Sequence, residues 1–207
     1  MSEQSLSGWL DELGSSAPAP GGGAAAAMSA AQGAALVEMV ANLTIGKAAY
    51  AEHQEHVERV LAQAHQLRNS AQQLGGADAE AFTALMATFK LPRETDEQKA
   101  VRTAEIQRAT AAAAEVPLRI AEVGAAVIDL AAQLPGRSNP NVLSDVAVAA
   151  SSAVAAVESA AINVEINLSS IKDKEVAADL ADRLARHETA IERGRSLVSQ
   201  VRAELTR

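Results

Sequence analysis

Apolar side chains recur every three or four residues along most of this chain, the spacing that gathers them on one face of an α-helix. Leu6, Trp9, Leu10 and Leu13 form the first stripe and predict a short amphipathic helix over 5–13. Pro18 and Pro20 forbid regular helix in 14–20, so that segment reads as a loop. Gly21-Gly22-Gly23 then opens a long helix to about Ile45, with Met28, Ala31, Ala35, Met39 and Leu43 in helical register and Gly46 at its end. A second helix over 48–74 is strongly polar, with Glu52, His53, Glu55, His56, Glu58 and Arg59, and is placed on the outside. Gly75-Gly76 is expected to end it. A third helix covers 77–89, Leu91-Pro92 turns the chain, and a fourth spans 94–134 with Pro117 as its kink. The stretch 135–141 is the most loop-like of all. The fifth helix, 143–171, is apolar nearly all round and is expected to be the central, buried one. The last runs from Lys174 to the C-terminus, charged on one face. No β-alternation, internal repeat or linker interrupts this order. The pattern therefore predicts an all-α, single-domain bundle of long, closely packed helices over 1–207.

Composition sharpens the word "closely". Of 207 residues 48% are hydrophobic, yet only 2% are aromatic, so alanine must build the core with Leu, Val and Ile between. Alanine favours helix and holds two backbones no farther apart than a methyl group. Such a core gains little apolar area per residue, which gives the chain a reason to form a homodimer. No cysteine is present, which excludes disulfides and thiolate chemistry. The net charge of −8 disfavours nucleic acid and anionic membranes as partners. The first ten residues carry no signal segment, and Asp145, Glu158, Asn163, Glu165 and Asn167 interrupt the longest apolar stretch, so the expectation is a cytoplasmic protein with no membrane span.

Three groups of residues are candidates for chemistry. Gly21, Gly23 and Ala26 have the spacing of a dinucleotide fingerprint, but no strand precedes them, and no Gly-Lys-Ser/Thr follows to make a phosphate loop. Two readings of Pro20-Gly21-Gly22-Gly23 remain: a place where another helix crosses in backbone contact, or a helix start whose bare N–H groups hold an anion or ligand. Asp145, Ser152, Ser159, Asn163, Asn167 and Ser170 project to one side of the fifth helix. They form either a satisfied hydrogen-bond seam or the wall of a polar cleft. Asp78 reads either as a helix-start charge or as an acid. His53, His56, His65 and His187 lack the spacing of a metal site and are assigned to solvent, so no metal is expected.

The order of these segments adds to the picture. Ala19-Pro-Gly-Gly-Gly23, Met39-Val40, Gly46-Lys47, Asp78-Ala-Glu-Ala-Phe82, Leu91-Pro92, Val116-Pro-Leu118, Ser144-Asp145, Asn163-Val-Glu-Ile-Asn167 and Ile171-Lys-Asp173 together resemble the cyclodeaminase/cyclohydrolase family of folate enzymes. The resemblance spans nearly the whole chain. Gly76, where relatives often have an acid, and Ser159, where they often have glycine, depart from it. The resemblance implies an all-α homodimer with a folate groove near the subunit interface. It implies cyclisation of 5-formiminotetrahydrofolate to 5,10-methenyltetrahydrofolate with loss of ammonia, or, as the alternative, hydrolytic interconversion of methenyl- and 10-formyltetrahydrofolate. No cofactor beyond the folate substrate itself, polyglutamylated forms included, is implied. Orientation and proton transfer by carboxylates suffice for such chemistry. Asp145 and Asp78 are the expected catalytic acids, with Asp173 a further acid in a family-like motif. Pro20, Gly21, Gly22, Gly23, Ser144, Asn163 and Asn167 are the expected substrate contacts. Lys47, with Lys172 and Arg93, is placed to meet the carboxylates of the folate tail. The rival from another class is a helical scaffold whose glycines serve packing alone.

Overall fold

The computed structural model describes residues 5–206. Six helices follow one another: α1 (Leu6–Leu13), α2 (Gly22–Asn42), α3 (Gln54–Thr88), α4 (Asp96–Ala131), α5 (Leu143–Leu168) and α6 (Lys174–Leu205). Short 3₁₀ turns at Ala48–His53 and Pro140–Val142 lead into α3 and α5. No strand occurs among the described residues, so the fold is all-α and single-domain. Local chemistry sets several of the ends. Thr95 and Gln98 form a reciprocal capping box that starts α4 at Asp96. The Asp173 carboxylate accepts from the N–H groups of Glu175 and Val176 and starts α6. That places Asp173, expected among the acids of the site, in a helix cap.

The expected break at Gly75-Gly76 is absent, and α3 runs through it unbroken. Glycine costs about 1 kcal/mol in a helix interior. Ala71, Leu74 and Gly75 are buried against the bundle, and that packing outweighs the local preference. The correction matters for function, because it places Asp78 in the middle of a long helix and not at a helix start.

α5 packs against α2, α4 and α6, while α3 closes the bundle over α2 and α4. Small residues set the spacing. A Cβ on Gly33 of α2 would lie 3.0 Å from the Ala149 carbonyl oxygen of α5. One on Gly124 of α4 would lie 2.8 Å from Val157. At such crossings only glycine lets the backbones approach. The buried set is mainly alanine and valine, with Leu118, Ile120, Ile128 and Leu134 the largest fully enclosed side chains.

The central helix is not buried all round. Ala149, Ala150, Ala153, Ala156, Val157, Ala160 and Val164 face the core, but Val148, Ile162 and Ile166 stay 51%, 66% and 68% exposed. α2 behaves likewise: Ala24, Ala27, Ala30, Ala34 and Ala41 are enclosed, whereas Ala35, Met39 and Leu43 lie on the surface. Small residues occupy the helix crossings because only they fit there. By length and composition alone α2 and the 140–168 segment would each suffice to cross a membrane, but 56% of each is enclosed within the bundle.

Candidate functional site

The start of α2, the middle of α3, the middle of α4 and the end of α5 meet around a cavity of about 380 Å³. That lies within the range of about 300–1,000 Å³ usual for small-molecule sites. Gly21, Gly22 and Gly23 form one wall, Asp78 and Phe82 a second, Pro117 a third, and Asn163 and Asn167 a fourth. Pro18 and Ala19 close it from the loop side, where the Ala19–Pro20 peptide is cis. Four of the segments that the resemblance singled out, 19–23, 78–82, 116–118 and 163–167, are thus gathered around it.

Asp78 is the one carboxylate among the described residues that line this cavity. α2 begins at a glycine, Gly21, which has no side chain to cap the helix. The carboxylate of Asp78 reaches across from α3 and accepts the N–H of Ala24 instead. A Cβ on Gly23 would overlap that carboxylate, so the glycine is what lets the acid seat. Gly22 and Gly23 keep backbone N–H groups without a partner among the described residues, at the positive end of the α2 dipole. Burial raises the Asp78 pKa above its ordinary 3.8, and the Ala24 N–H opposes that shift. A carboxyl held in this way moves toward the pH at which it can both take and return a proton.

The two asparagines complete the wall. The Nδ2 of Asn163 donates to the Ser159 carbonyl at 2.8 Å, and that of Asn167 to the Asn163 carbonyl at 2.8 Å and the Ala113 carbonyl at 3.5 Å. Neither Oδ1 accepts a hydrogen bond among the described residues, and both side chains line the cavity. Phe82, Leu85 and Ile166 supply apolar surface beside them. Asp78, Asn163, Asn167 and the three glycines therefore form one polar cluster on an apolar lining. Pro20 is half-buried next to this wall without lining it.

Lys47, Ser144 and Asp145 lie elsewhere. Asp145 is in the first turn of α5, eighteen residues before Asn163, which at a rise of 1.5 Å per residue is about 27 Å along the helix. Its side chain caps nothing, and Val142, not an acidic or hydroxyl residue, precedes α5. Ser144 and Lys47 are exposed at that same far end. Arg93 is exposed beyond the end of α3, and the Lys172 N–H is bonded to Gln107. Of the histidines expected in solvent, His65 is exposed, whereas His53, His56 and His187 are half-buried, and the His56 Nε2 is enclosed without a partner. No group of three metal-ligating side chains occurs among the described residues.

Leu85, Ala113 and Ile166 escaped sequence reasoning as site residues. For Ile166 a signal existed, since it lies inside the Asn163–Asn167 motif. Leu85 and Ala113 offered none, because an apolar residue on an apolar helix face does not show whether it meets a neighbour or a cavity.

A family model described as formiminotransferase-cyclodeaminase matches residues 5–186. The methenyltetrahydrofolate cyclohydrolase of Methylorubrum extorquens is 46% identical over 176 residues, 85% of each chain. The formimidoyltransferase-cyclodeaminase of Rattus norvegicus is 35% identical over 171 residues, which span 83% of this chain and 32% of that protein. The crystal structure of formiminotetrahydrofolate cyclodeaminase from Thermotoga maritima superposes with a TM-score of 0.89 at 28% identity, over 100% of this chain and 99% of that one.

Proposed function

This chain belongs to the formiminotransferase-cyclodeaminase family of folate one-carbon enzymes, and from that premise we propose that it is a methenyltetrahydrofolate cyclohydrolase. The observation that carries the reading is the convergence of Asp78, the bare N–H groups of Gly22 and Gly23, and the oxygens of Asn163 and Asn167 on one cavity. The order of the two activities follows the relatives. The 46% identity to a cyclohydrolase runs over most of both chains, whereas the 35% identity to a formimidoyltransferase-cyclodeaminase covers a third of that longer protein.

In this mechanism the pterin ring lies against Phe82 and Pro117, with its ring N–H groups toward Asn163 and Asn167. Asp78 takes a proton from water as the water oxygen bonds to the methenyl carbon. The resulting hydroxyl-bearing carbon is then attached to both nitrogen 5 and nitrogen 10. Asp78 returns its proton to nitrogen 5 as that carbon–nitrogen bond breaks. The hydroxyl proton leaves to solvent and the formyl group stays on nitrogen 10. The carbonyl oxygen that forms is placed to accept from the free N–H groups at the α2 start, as in an oxyanion site. No metal is required, since every proton transfer has a carboxyl or water partner.

The second reading, cyclisation of 5-formiminotetrahydrofolate with loss of ammonia, uses the same groups. It is favoured by the match to the Thermotoga maritima structure along both chains. One assay separates them. Methenyltetrahydrofolate is followed by its absorbance in one cell, and its formation from 5-formiminotetrahydrofolate in a second. Loss of the chromophore in the first cell is expected after dialysis against EDTA. A signal only in the second transfers the assignment to the cyclodeaminase reaction. Silence in both cells, with no folate bound, leaves the scaffold reading.

A further inference from the structure

Pro117 lies inside α4, which runs through it without a break from Asp96 to Ala131. A proline has no N–H, so the Ala113 carbonyl four residues earlier loses its helical donor, and the ring crowds that carbonyl. Ala113 is buried, and a buried carbonyl needs another partner. It finds one on a different helix. The Nδ2 of Asn167 in α5 donates to the Ala113 carbonyl at 3.5 Å. Ala113, Pro117 and Asn167 all line the cavity.

This bond sets Asn167 apart from Asn163. Asn163 donates to the carbonyl four residues back on its own helix, that of Ser159. Asn167 does the same with the Asn163 carbonyl at 2.8 Å and adds the carbonyl on α4. A side-chain amide nitrogen carries two hydrogens, and here both go to backbone carbonyls. An amide turned end for end would set Oδ1 against those two oxygens. The Asn167 amide is therefore held in one orientation, and its Oδ1 is the atom that no described residue bonds. The surrounding frame is fixed independently. Gln107 of α4 donates its Nε2 to the Ser170 carbonyl at 3.0 Å, and its Oε1 accepts the Lys172 N–H at 2.7 Å. The chain just past α5 is thus fastened to α4 without Pro117.

We propose that Pro117 is a positioning residue: its missing N–H leaves the Ala113 carbonyl to hold the Asn167 amide, so that the cavity meets an Oδ1 acceptor and favours a ligand with an N–H donor there. Any other residue at 117 supplies an N–H and draws the Ala113 carbonyl back into the helical ladder. At 3.5 Å the bond to Asn167 is already long, so a small withdrawal breaks it. The amide is then one bond short and free to turn. The effect on turnover rests on the folate reading, whereas the orientation of the amide stands without it.

Nitrogen-15 spectra read the amide directly, the Asn167 side-chain signal being identified by its disappearance in Asn167→Ala. In wild-type protein its hydrogens are expected to exchange with solvent more slowly than those of Asn42, which is exposed. Exchange as fast as that of Asn42 overturns the proposal without any variant. Pro117→Val keeps bulk at the cavity wall and Pro117→Ala removes it, but both supply the N–H. Each is expected to speed Asn167 exchange at least about threefold, the loss of one hydrogen bond. Unchanged exchange in folded Pro117→Val, or a change in Pro117→Ala alone, shows that the ring acts only as wall. Turnover of methenyltetrahydrofolate gives the second arm. Pro117→Val is expected to raise KM at least about threefold with kcat unchanged, as for a lost binding contact. Asn167→Ala also raises KM, and adding Pro117→Val to it is expected to raise KM no further, because the two act through one bond. Effects that multiply remove Pro117 from the positioning of Asn167. If wild-type protein turns over neither folate, the folate reading fails, and the exchange rates still decide how the amide is held.

Discussion

α2 and α5 run side by side in opposite directions, and their two ends use polar residues in opposite ways. At the far end Asn139 is enclosed and fully engaged. Its Nδ2 donates to the Leu43 carbonyl, its Oδ1 accepts from the Asn141 N–H and the Tyr50 hydroxyl, and its own N–H donates to Thr44 Oγ1. These bonds fasten the 135–141 loop to the end of α2, a long-range pin across about ninety residues of sequence. At the cavity end the polar groups are left open: two bare N–H groups, two amide oxygens and a carboxyl whose charge burial disfavours. Satisfied polar groups hold a structure together, and unsatisfied ones gathered in a cavity await a ligand. The contrast separates asparagines that the sequence presents alike.

The largest expected effect is at Asp78. Asp78→Asn keeps an oxygen for the Ala24 N–H but carries no titrating proton, so turnover falls at least about a hundredfold while the fold is kept. Steady-state rates beside a urea melt check both halves. The pH dependence has a definite sign. Because the folded pKa is raised, the native state binds more protons than the unfolded chain just above pH 3.8, and Asp78 loses stability as pH rises through that window. The stability difference between Asp78→Asn and wild type therefore moves in favour of the variant from pH 3.8 upward, and a flat difference would show that burial does not perturb the acid.

Gly23→Ala is next. The new methyl displaces the Asp78 carboxylate, which costs about 1–3 kcal/mol of stability by overpacking. Turnover per folded molecule falls about as far as in Asp78→Asn. If Gly23→Ala keeps wild-type rate, the glycines belong to packing and not to the site.

Asn139→Ala is the counterpart at the far end. It is expected to cost about 1–3 kcal/mol and to leave turnover per folded molecule unchanged, as denaturant melts and active-site titration will read. A large kinetic defect without a stability loss would erase the contrast between the two ends.

The smallest effect belongs to the surface. Arg193 bonds Asp129 at 2.9 Å with both side chains about half exposed. Asp129→Asn is expected to shift stability by less than about 1 kcal/mol, less still in high salt. Thermal melts at two salt concentrations suffice.

The sequence by itself determined the helices and most of their ends. Periodicity, the prolines of the 14–20 loop and the loop before α5 act within a few residues, and such local chemistry is legible in one dimension. It also marked Asp78, Gly21 to Gly23, Asn163 and Asn167 through the order of their motifs. Tertiary structure decided what those residues do. Packing overrode the helix-breaking preference of Gly75 and Gly76 and so moved Asp78 from a helix start to the middle of α3, opposite an uncapped α2. The rise of a helix, not its sequence spacing, put Asp145 at the other end of α5 from Asn163. The outward face of the helix expected to be buried all round followed from the number of neighbours that close around it, which composition does not encode. Periodicity tells that one side of a helix differs from another, and only the neighbours that pack against it decide which side meets the core, a cavity or a second chain.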